Sequence, residues 1–239
     1  MLGGLRLSYQ DRAVMDVNTN RLQALFAYLA LHAGTLQSRE RLAFLFWPDS
    51  TEAQARTNLR QLLHHLRSAL PDGGEFITAD SQNILWLSTA EFAIDVSNFE
   101  NAIDRAQEAA RRGDSVTTRK ELESAAQFYG GDFMPGLYDE WIEIERQRFR
   151  QKISDVLGQL ISLLERTREF SSAIQYAERL LSLDPCCETS YQTLMRLHGL
   201  RSSSVWILIQ PITIALFRGL EVIGRRSILT RQEGRISIS

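Results

Sequence analysis

Apolar and polar positions alternate through residues 1–18. Leu2, Leu5 and Leu7, then Val14 and Val17, are separated by polar residues and glycine. A period of two predicts short strands around a turn. From Asn20 to His32 the period changes: Leu22, Leu25, Phe26, Leu29 and Ala30 recur at helical spacing as one apolar stripe, and Gly34 follows as a stop. Ser38 is placed to cap a short second helix that buries Leu42, Leu45 and Phe46 and ends before Pro48. Asp49, Ser50 and Thr51 offer caps for a long third helix running to Leu70, which Pro71-Asp72-Gly73-Gly74 breaks. Phe76 to Leu87 then reads as two strands around a tip near Asp80-Ser81-Gln82-Asn83.

Strands, helix, short helix, long helix and hairpin, in that order, predict a winged helix-turn-helix, a fold whose last helix enters the major groove of DNA. From Asp95 onward the pattern is helical throughout. Asp95-Val96-Ser97 precedes a helix with Phe99, Ile103, Ala106 and Ala110 on one side. Arg111-Arg112-Gly113-Asp114 is a turn, and Thr118 to Tyr129 forms the next helix. After Gly130-Gly131 comes an aromatic stretch, Phe133 to Trp141, then helices at about 142–166, 170–182 and 188–199. Helix pairs punctuated by Gly and Pro predict a helical-repeat module. The expected fold class is therefore mainly α. A winged helix-turn-helix with a small β-sheet and hairpin wing (1–92) is followed by all-α, tetratricopeptide-like repeats (93–200).

The third helix carries the candidate chemistry. Projected at 100° per residue, Ala55, Leu59, Leu62, Leu66 and Ala69 form its core arc, with Leu63 and Leu70 at the edge. Thr57, Gln61, His64 and Ser68 lie opposite, with Arg60 beside them; Arg56 and Arg67 flank one side, Asn58 and His65 the other. Arg and Gln read base edges through paired hydrogen bonds, while Thr, Asn and further Arg hold phosphates. The competing reading is an amphipathic helix with a solvated outer face. Against it, the polar face has three Arg, no Lys, and one acid, Glu52, at its extreme start; solvated helices usually mix Glu and Lys. Gln82 and Asn83, at the hairpin tip, are candidate wing contacts to DNA, and a plain surface turn is the alternative.

Charge tempers this picture. The 239 residues carry a formal net charge of −2, and residues 1–90 hold eight Arg against eight Asp and Glu. DNA contact must therefore come from a local arrangement of arginines. The composition, 44% hydrophobic and 23% charged, is that of an ordinary globular protein. No signal peptide is expected at the start. The longest apolar stretch, Val205 to Phe217, is interrupted by Gln210, Pro211 and Thr213 and falls short of the ~20 residues of a transmembrane helix. Two adjacent cysteines, Cys186 and Cys187, cannot staple distant parts of a fold, so a reduced cytoplasmic setting is expected. They follow Pro185 at a helix start, where a lowered thiol pKa is available; packing is their expected role.

Enzymatic readings fail on spacing. Neither His64 nor His65 has an acid at i+4, and no Ser sits in a G-x-S-x-G elbow. No G-x-x-x-x-G-K-[ST] run is present. Glu140, Glu143 and Glu145 share a helix with Arg146, Arg148 and Arg150, which predicts ion pairs on a solvated face. No catalytic residue, metal or cofactor is expected.

Several of these residues resemble a known family. Arg39-Glu40-Arg41-Leu42-Ala43-Phe44-Leu45-Phe46-Trp47-Pro48-Asp49, Ala55-Arg56-Thr57-Asn58-Leu59-Arg60 and Leu66-Arg67-Ser68-Ala69-Leu70 resemble the SARP-type (antibiotic regulatory) activators. These join a response-regulator-like winged helix to a bacterial transcriptional activator domain. Asp95-Val96 with Phe99, Tyr129-Gly130-Gly131-Asp132-Phe133, Glu140-Trp141 and Glu145-Arg146 are similar to the second domain, as are Phe170, Ala173, Ile174, Tyr176, Ala177, Leu180 and Leu183-Asp184-Pro185. The resemblance covers about residues 2–200. It implies a cytoplasmic, nucleoid-associated activator that binds promoter direct repeats in double-stranded DNA and recruits RNA polymerase, with Trp47 and Asp49 as candidate polymerase contacts. Trp47 as a core anchor is the alternative. His64 and His65 stand where relatives commonly carry basic residues, which bears on affinity and salt dependence; the neutral charge predicts weak binding by a monomer, tightened by self-association on repeats. Alternatives are a helical-repeat interaction scaffold without DNA reading, or a truncated competitor that binds DNA without activating.

Residues 201–239 break the pattern. They hold eight Ile in 39 positions, against nine in the first 200, and balance to +4, against −6 before them. A shift of reading frame near residue 200 would produce this tail; a divergent terminus is the alternative. Either way, the last helices of the repeat module are expected to be missing.

Overall fold

Thr19 ends the extended N-terminal stretch by accepting a hydrogen bond from the amide of Leu22 (3.4 Å), and the chain enters α1, Asn20–Leu31. The computed structural model describes residues 1–9, 12–71, 76–87 and 94–201. Before α1 lie β1 (Ser8–Tyr9) and β2 (Arg12–Ala13), an antiparallel pair. A third two-residue strand, β3 (Gln37–Ser38), leads into α2 (Arg39–Phe46), and Ser38 caps α2 by accepting from the Arg41 amide. Thr51 does the same for α3, Glu52–Ala69, through the Gln54 amide. The hairpin follows as β4 (Ile77–Ala79) and β5 (Asn83–Trp86), giving a sheet of order β3-β5-β4.

β3 was not expected, because two residues are too few to display a period of two. It pairs Gln37 with Ile84 and Ser38 with Asn83, joining the start of α2 to the hairpin.

Four helical expectations need correction. On α3, Leu63 and Leu70 are fully buried while Leu62 and Ala69 are only half-buried, so the core face is turned by about 40° from the projected arc. On α2, Ala43 is buried beside Leu42 and Phe46, and Leu45 is half-buried. α1 buries Ala24, Ala27 and Tyr28 as well as its predicted stripe. In α4 (Asp95–Arg111) the buried positions are Val96, Phe99, Ala102, Ala106 and Ala109, and Ala110 is exposed.

After α4, Gly113 turns the chain at φ +75°, a conformation available to glycine without a Cβ penalty, and Asp114 caps α5, Ser115–Phe128. Helices α6 (Glu140–Arg166), α7 (Phe170–Leu183) and α8 (Glu188–Arg201) complete the described chain. The fold is mainly helical: a winged helix with a small antiparallel sheet, then tetratricopeptide-like helices.

Packing divides the chain between Leu163 and Leu164. In the first unit the winged helix closes over Leu25, Leu29, Leu42, Leu59, Leu66, Ile77 and Ile84, with Phe26 edge-on to Trp86 at 5.3 Å. Phe99, Phe133 and Phe149 form a second cluster of rings. Each such side chain contributes about 1.5–3 kcal/mol on burial. The N-terminal segment lies against this second cluster: Leu2 bridges Phe133, and the Gly3 amide donates to Asp132 O at 2.9 Å. In the second unit α7 and α8 pack on each other, and Arg196 pairs with Glu165. The expected boundary at 92/93 and the tail after residue 201 lie at or beyond residues outside those described.

Candidate nucleic-acid interface

α3 presents Arg56, Thr57, Arg60, Gln61, His64, His65 and Ser68 to solvent; Asn58 and Arg67 are half-buried. These side chains are not equally free. Arg56 pairs with Glu52 one turn back at 2.5 Å. The Thr57 hydroxyl donates to Ala53 O at 2.9 Å, and Asn58 Oδ1 accepts from Gln54 Nε2 at 2.8 Å. Arg67 bends over the hairpin instead: Nη2 donates to Ile77 O at 2.8 Å, and its buried Nε has no partner among the described residues. Arg67 thus fastens the wing to α3. The rings of His64 and His65 lie 6.1 Å apart. Arg60 and Gln61 have neither ion pair nor hydrogen bond among the described residues, and they stand at the middle of the helix, exposed to solvent.

The wing tip is held by Asp80. Its Oδ1 accepts from the amides of Gln82 (2.7 Å) and Asn83 (2.6 Å), and these bonds hold the carboxyl below the usual carboxylate range. The Gln82 side chain is exposed and that of Asn83 is half-buried. Between wing and helix runs a cleft of about 690 Å³ lined by Arg39, Arg56, Arg60 and the tip residues Ser81, Gln82 and Asn83, among others. A smaller one of about 310 Å³ adjoins it, bounded by Arg39, Arg60, His64 and Arg67.

Arg39 was not among the predicted contacts, yet it lines both clefts. Its amide donates to Gln82 O (2.8 Å) and its Nη1 to Asp80 O (2.8 Å). Nothing in the local pattern marks it, because it is the β3–β5 pairing that brings the start of α2 to the wing. The four arginines at the clefts are offset by Glu40, Glu52 and Asp80, which keeps the face close to neutral.

At the α2–α3 turn, Trp47 is half-buried against Phe46 at 5.9 Å, with the Arg21 guanidinium over its ring, while Asp49 is exposed. Elsewhere, Cys186 is exposed and Cys187 half-exposed, so neither is the packed residue expected. Hydrogen bonds from Ser190 and Thr189 lower the Cys187 thiol. Of the glutamate–arginine series on α6, Arg146 departs from the solvated face: it is buried, with Nε and Nη2 donating to the carbonyls of Phe133, Met134 and Leu137. Among the described residues no group of three or more acidic, His or Cys side chains could hold a metal, and no helix is long and apolar enough to cross a membrane.

Residues 94–199 match the bacterial transcriptional activator domain family. Over 84% of this chain the fold is similar to that of Mycobacterium tuberculosis EmbR, solved in complex with a low-affinity phosphopeptide, at a TM-score of 0.70 and 18% identity. Residues 94–199 are thus similar to the second domain that the resemblance to the SARP-type regulators leads one to expect. This chain spans 54% of the EmbR chain. No curated protein matches the sequence. The matched activator domain occupies the part of the chain after the wing. That match ends at residue 199, where the composition of the chain changes.

Proposed function

We propose that this chain is a sequence-specific DNA-binding transcriptional activator. Its winged helix (1–92) binds promoter repeats through α3 and the wing, and its activator domain (93–200) recruits RNA polymerase in the cytoplasm. The observation that carries the reading is the α3 face: Arg60 and Gln61 stand unengaged beside a cleft that the wing tip closes from the other side. A bidentate Arg contact to guanine is among the commonest forms of direct readout, and Gln pairs in the same two-bond manner with adenine. Arg56, Thr57, Asn58, His64 and His65 flank this pair and supply phosphate or base contacts, as do Gln82 and Asn83 from the wing. Arg39 and Arg67 fix the angle between wing and helix. The exposed turn at Trp47 and Asp49 is the proposed polymerase contact.

The test is a gel-shift titration of the full chain on fragments from its gene's upstream region, against Arg60→Ala and Gln61→Ala. Each substitution is expected to weaken specific binding by roughly 5- to 150-fold, the equivalent of about 1–3 kcal/mol per lost base contact. With few unengaged cations on the face, log K should fall with log[salt] at a slope of only about −3 to −4. Equal binding by both variants and the parent, with the fold intact by circular dichroism, would transfer the function to the helical repeats as an interaction scaffold.

A further inference from the structure

Trp141 is the second residue of α6, in the activator domain, yet its ring is packed on the winged helix. Its centroid lies 5.3 Å from that of Tyr28 in α1, edge-on at 83°, and 6.2 Å from that of Phe46 at the end of α2. Phe133 backs it at 6.4 Å. The side chain is 9% exposed, and its Nε1 has no hydrogen-bond partner among the described residues. An unpaired buried N–H is unfavourable, so the ring is held there by its shape and not by a polar link.

Both residues it touches lead to the DNA-facing parts. Tyr28 Oη donates to Gln37 Oε1 (3.3 Å), and Gln37 pairs through β3 with Ile84 of the wing strand. Burial in the same seam raises the Tyr28 hydroxyl above its usual range. Phe46 closes α2 immediately before the turn into α3. Two further links hold the seam: Arg21 Nη1 to Asp139 Oδ1 at 2.8 Å, and the Leu2 amide to Asp95 Oδ2 at 2.6 Å. Without Trp141, α1 and α2 would face water through Tyr28 and Phe46.

We infer that Trp141 is a positioning residue for DNA recognition: the activator domain supplies the plug that completes the helix-turn-helix core and sets α3 against the wing. The DNA part of this inference rests on the function proposed above; the coupling of the two domains does not.

The experiment uses the full chain with Trp141→Ala and Trp141→Phe. Amide hydrogen exchange is followed without DNA, and affinities are measured for an operator duplex and a scrambled one. W141A should speed exchange in α1, α2 and β3 at least tenfold, leave α4 and α5 near wild type, and lower the operator-to-scrambled ratio at least fivefold. W141F, which keeps an aromatic plug and loses the unpaired N–H, should restore both. Should W141A fail to fold, Trp141→Leu replaces it, with the same directions. Unchanged exchange in α1 and α2 overturns the inference whatever happens on DNA. Equal loosening of α4 and α5 also overturns it, because Trp141 would then be a general core residue. An unchanged specificity ratio beside loosened helices overturns the role in recognition. Absence of operator preference in the wild type refutes instead the function proposed above, and with it the DNA part, while the exchange data still decide the coupling.

Discussion

Replacing Arg146 by Met would remove a buried guanidinium that donates to three backbone carbonyls, of which Met134 O keeps the Leu137 amide as a donor. The bonds run from Nε to Phe133 O at 3.1 Å and from Nη2 to Met134 O at 3.0 Å and Leu137 O at 2.8 Å, and the side chain also pairs with Glu143. The loop they hold passes through Met134 at φ 45°, a left-handed conformation that a non-glycine residue adopts only at a cost of about 1–2 kcal/mol. It also leads directly to Trp141. Glu143 is 48% exposed and keeps its hydration, so the loss comes from the carbonyls; buried acceptors left without a donor cost about 1–3 kcal/mol each, or about 3–5 kcal/mol for this site, well above the value of any exposed pair. For a unit of this size each kcal/mol lowers the melting temperature by roughly 2–4 °C, so R146M should melt about 10 °C below the parent. Arg148→Met is the matched control. Arg148 makes two ion pairs, to Glu145 at 2.6 Å and Glu100 at 3.1 Å, but its side chain is 42% exposed. Exposed pairs are worth about 0–1 kcal/mol, so R148M should move the melt by no more than about 3 °C. Scanning calorimetry on the full chain reads both. Equal shifts for the two variants would refute the argument that burial and carbonyl satisfaction, not the count of ion pairs, decide what an arginine on α6 does.

Two more outcomes follow from the segment that Gly3 and Asp132 share. Gly3 sits at φ +89°, and a Cβ there would lie 2.9 Å from the carbonyl carbon and oxygen of Gly130. Gly3→Ala should therefore cost about 2 kcal/mol or more, read as a loss of several degrees in the same melt; a shift within 1 °C, on the order of instrumental error, would show that the N-terminal segment is not pinned there. Asp132 is held below the usual carboxylate range, first by its hydrogen bond from Arg150, whose Nε donates to Oδ1 at 2.7 Å. A depressed folded pKa gives stability that is present above the unfolded value and lost as pH falls through the folded one. Asp132→Asn should thus melt below the parent at pH 7, and the two should converge below about pH 4; a difference independent of pH would contradict the pairing.

The starts of α2 and α3 were readable from their cap residues, whereas α5 begins at Ser115 behind its Asp114 cap, three residues before the expected Thr118. Ser38 and Thr51 cap as their side-chain chemistry requires, and the polar face of α3 is exposed at the residues its period placed there. What the period could not supply is the angle about the helix axis. Leu62 and Leu63 are equally apolar, and which one points inward depends on α1, α2 and the hairpin that Arg67 ties down, not on α3 itself. The charged series on α6 hides a similar choice. Arg146 and Arg148 are identical in type and two positions apart, so they project from different faces; one meets orphan carbonyls and the other meets water.

The seam around Trp141 lies beyond both kinds of signal. In α1 the apolar stripe is widened by Ala24, Ala27 and Tyr28 until nearly every side of the helix is buried. Such a helix declares that it has neighbours on several sides without saying which. Tyr28 had no polar alternative that would expose it as a contact, and its ring partner is supplied by a helix that begins at Glu140. Pattern reasoning works within one element, because the period of that element carries the information. A side chain that completes the core of another domain has no period to follow, and its only trace is an excess of apolar surface on the helix it will cover. That excess in α1 is therefore the sequence feature that points to a neighbour outside the winged helix, and a winged helix expressed without the Phe133–Trp141 segment would leave it uncovered.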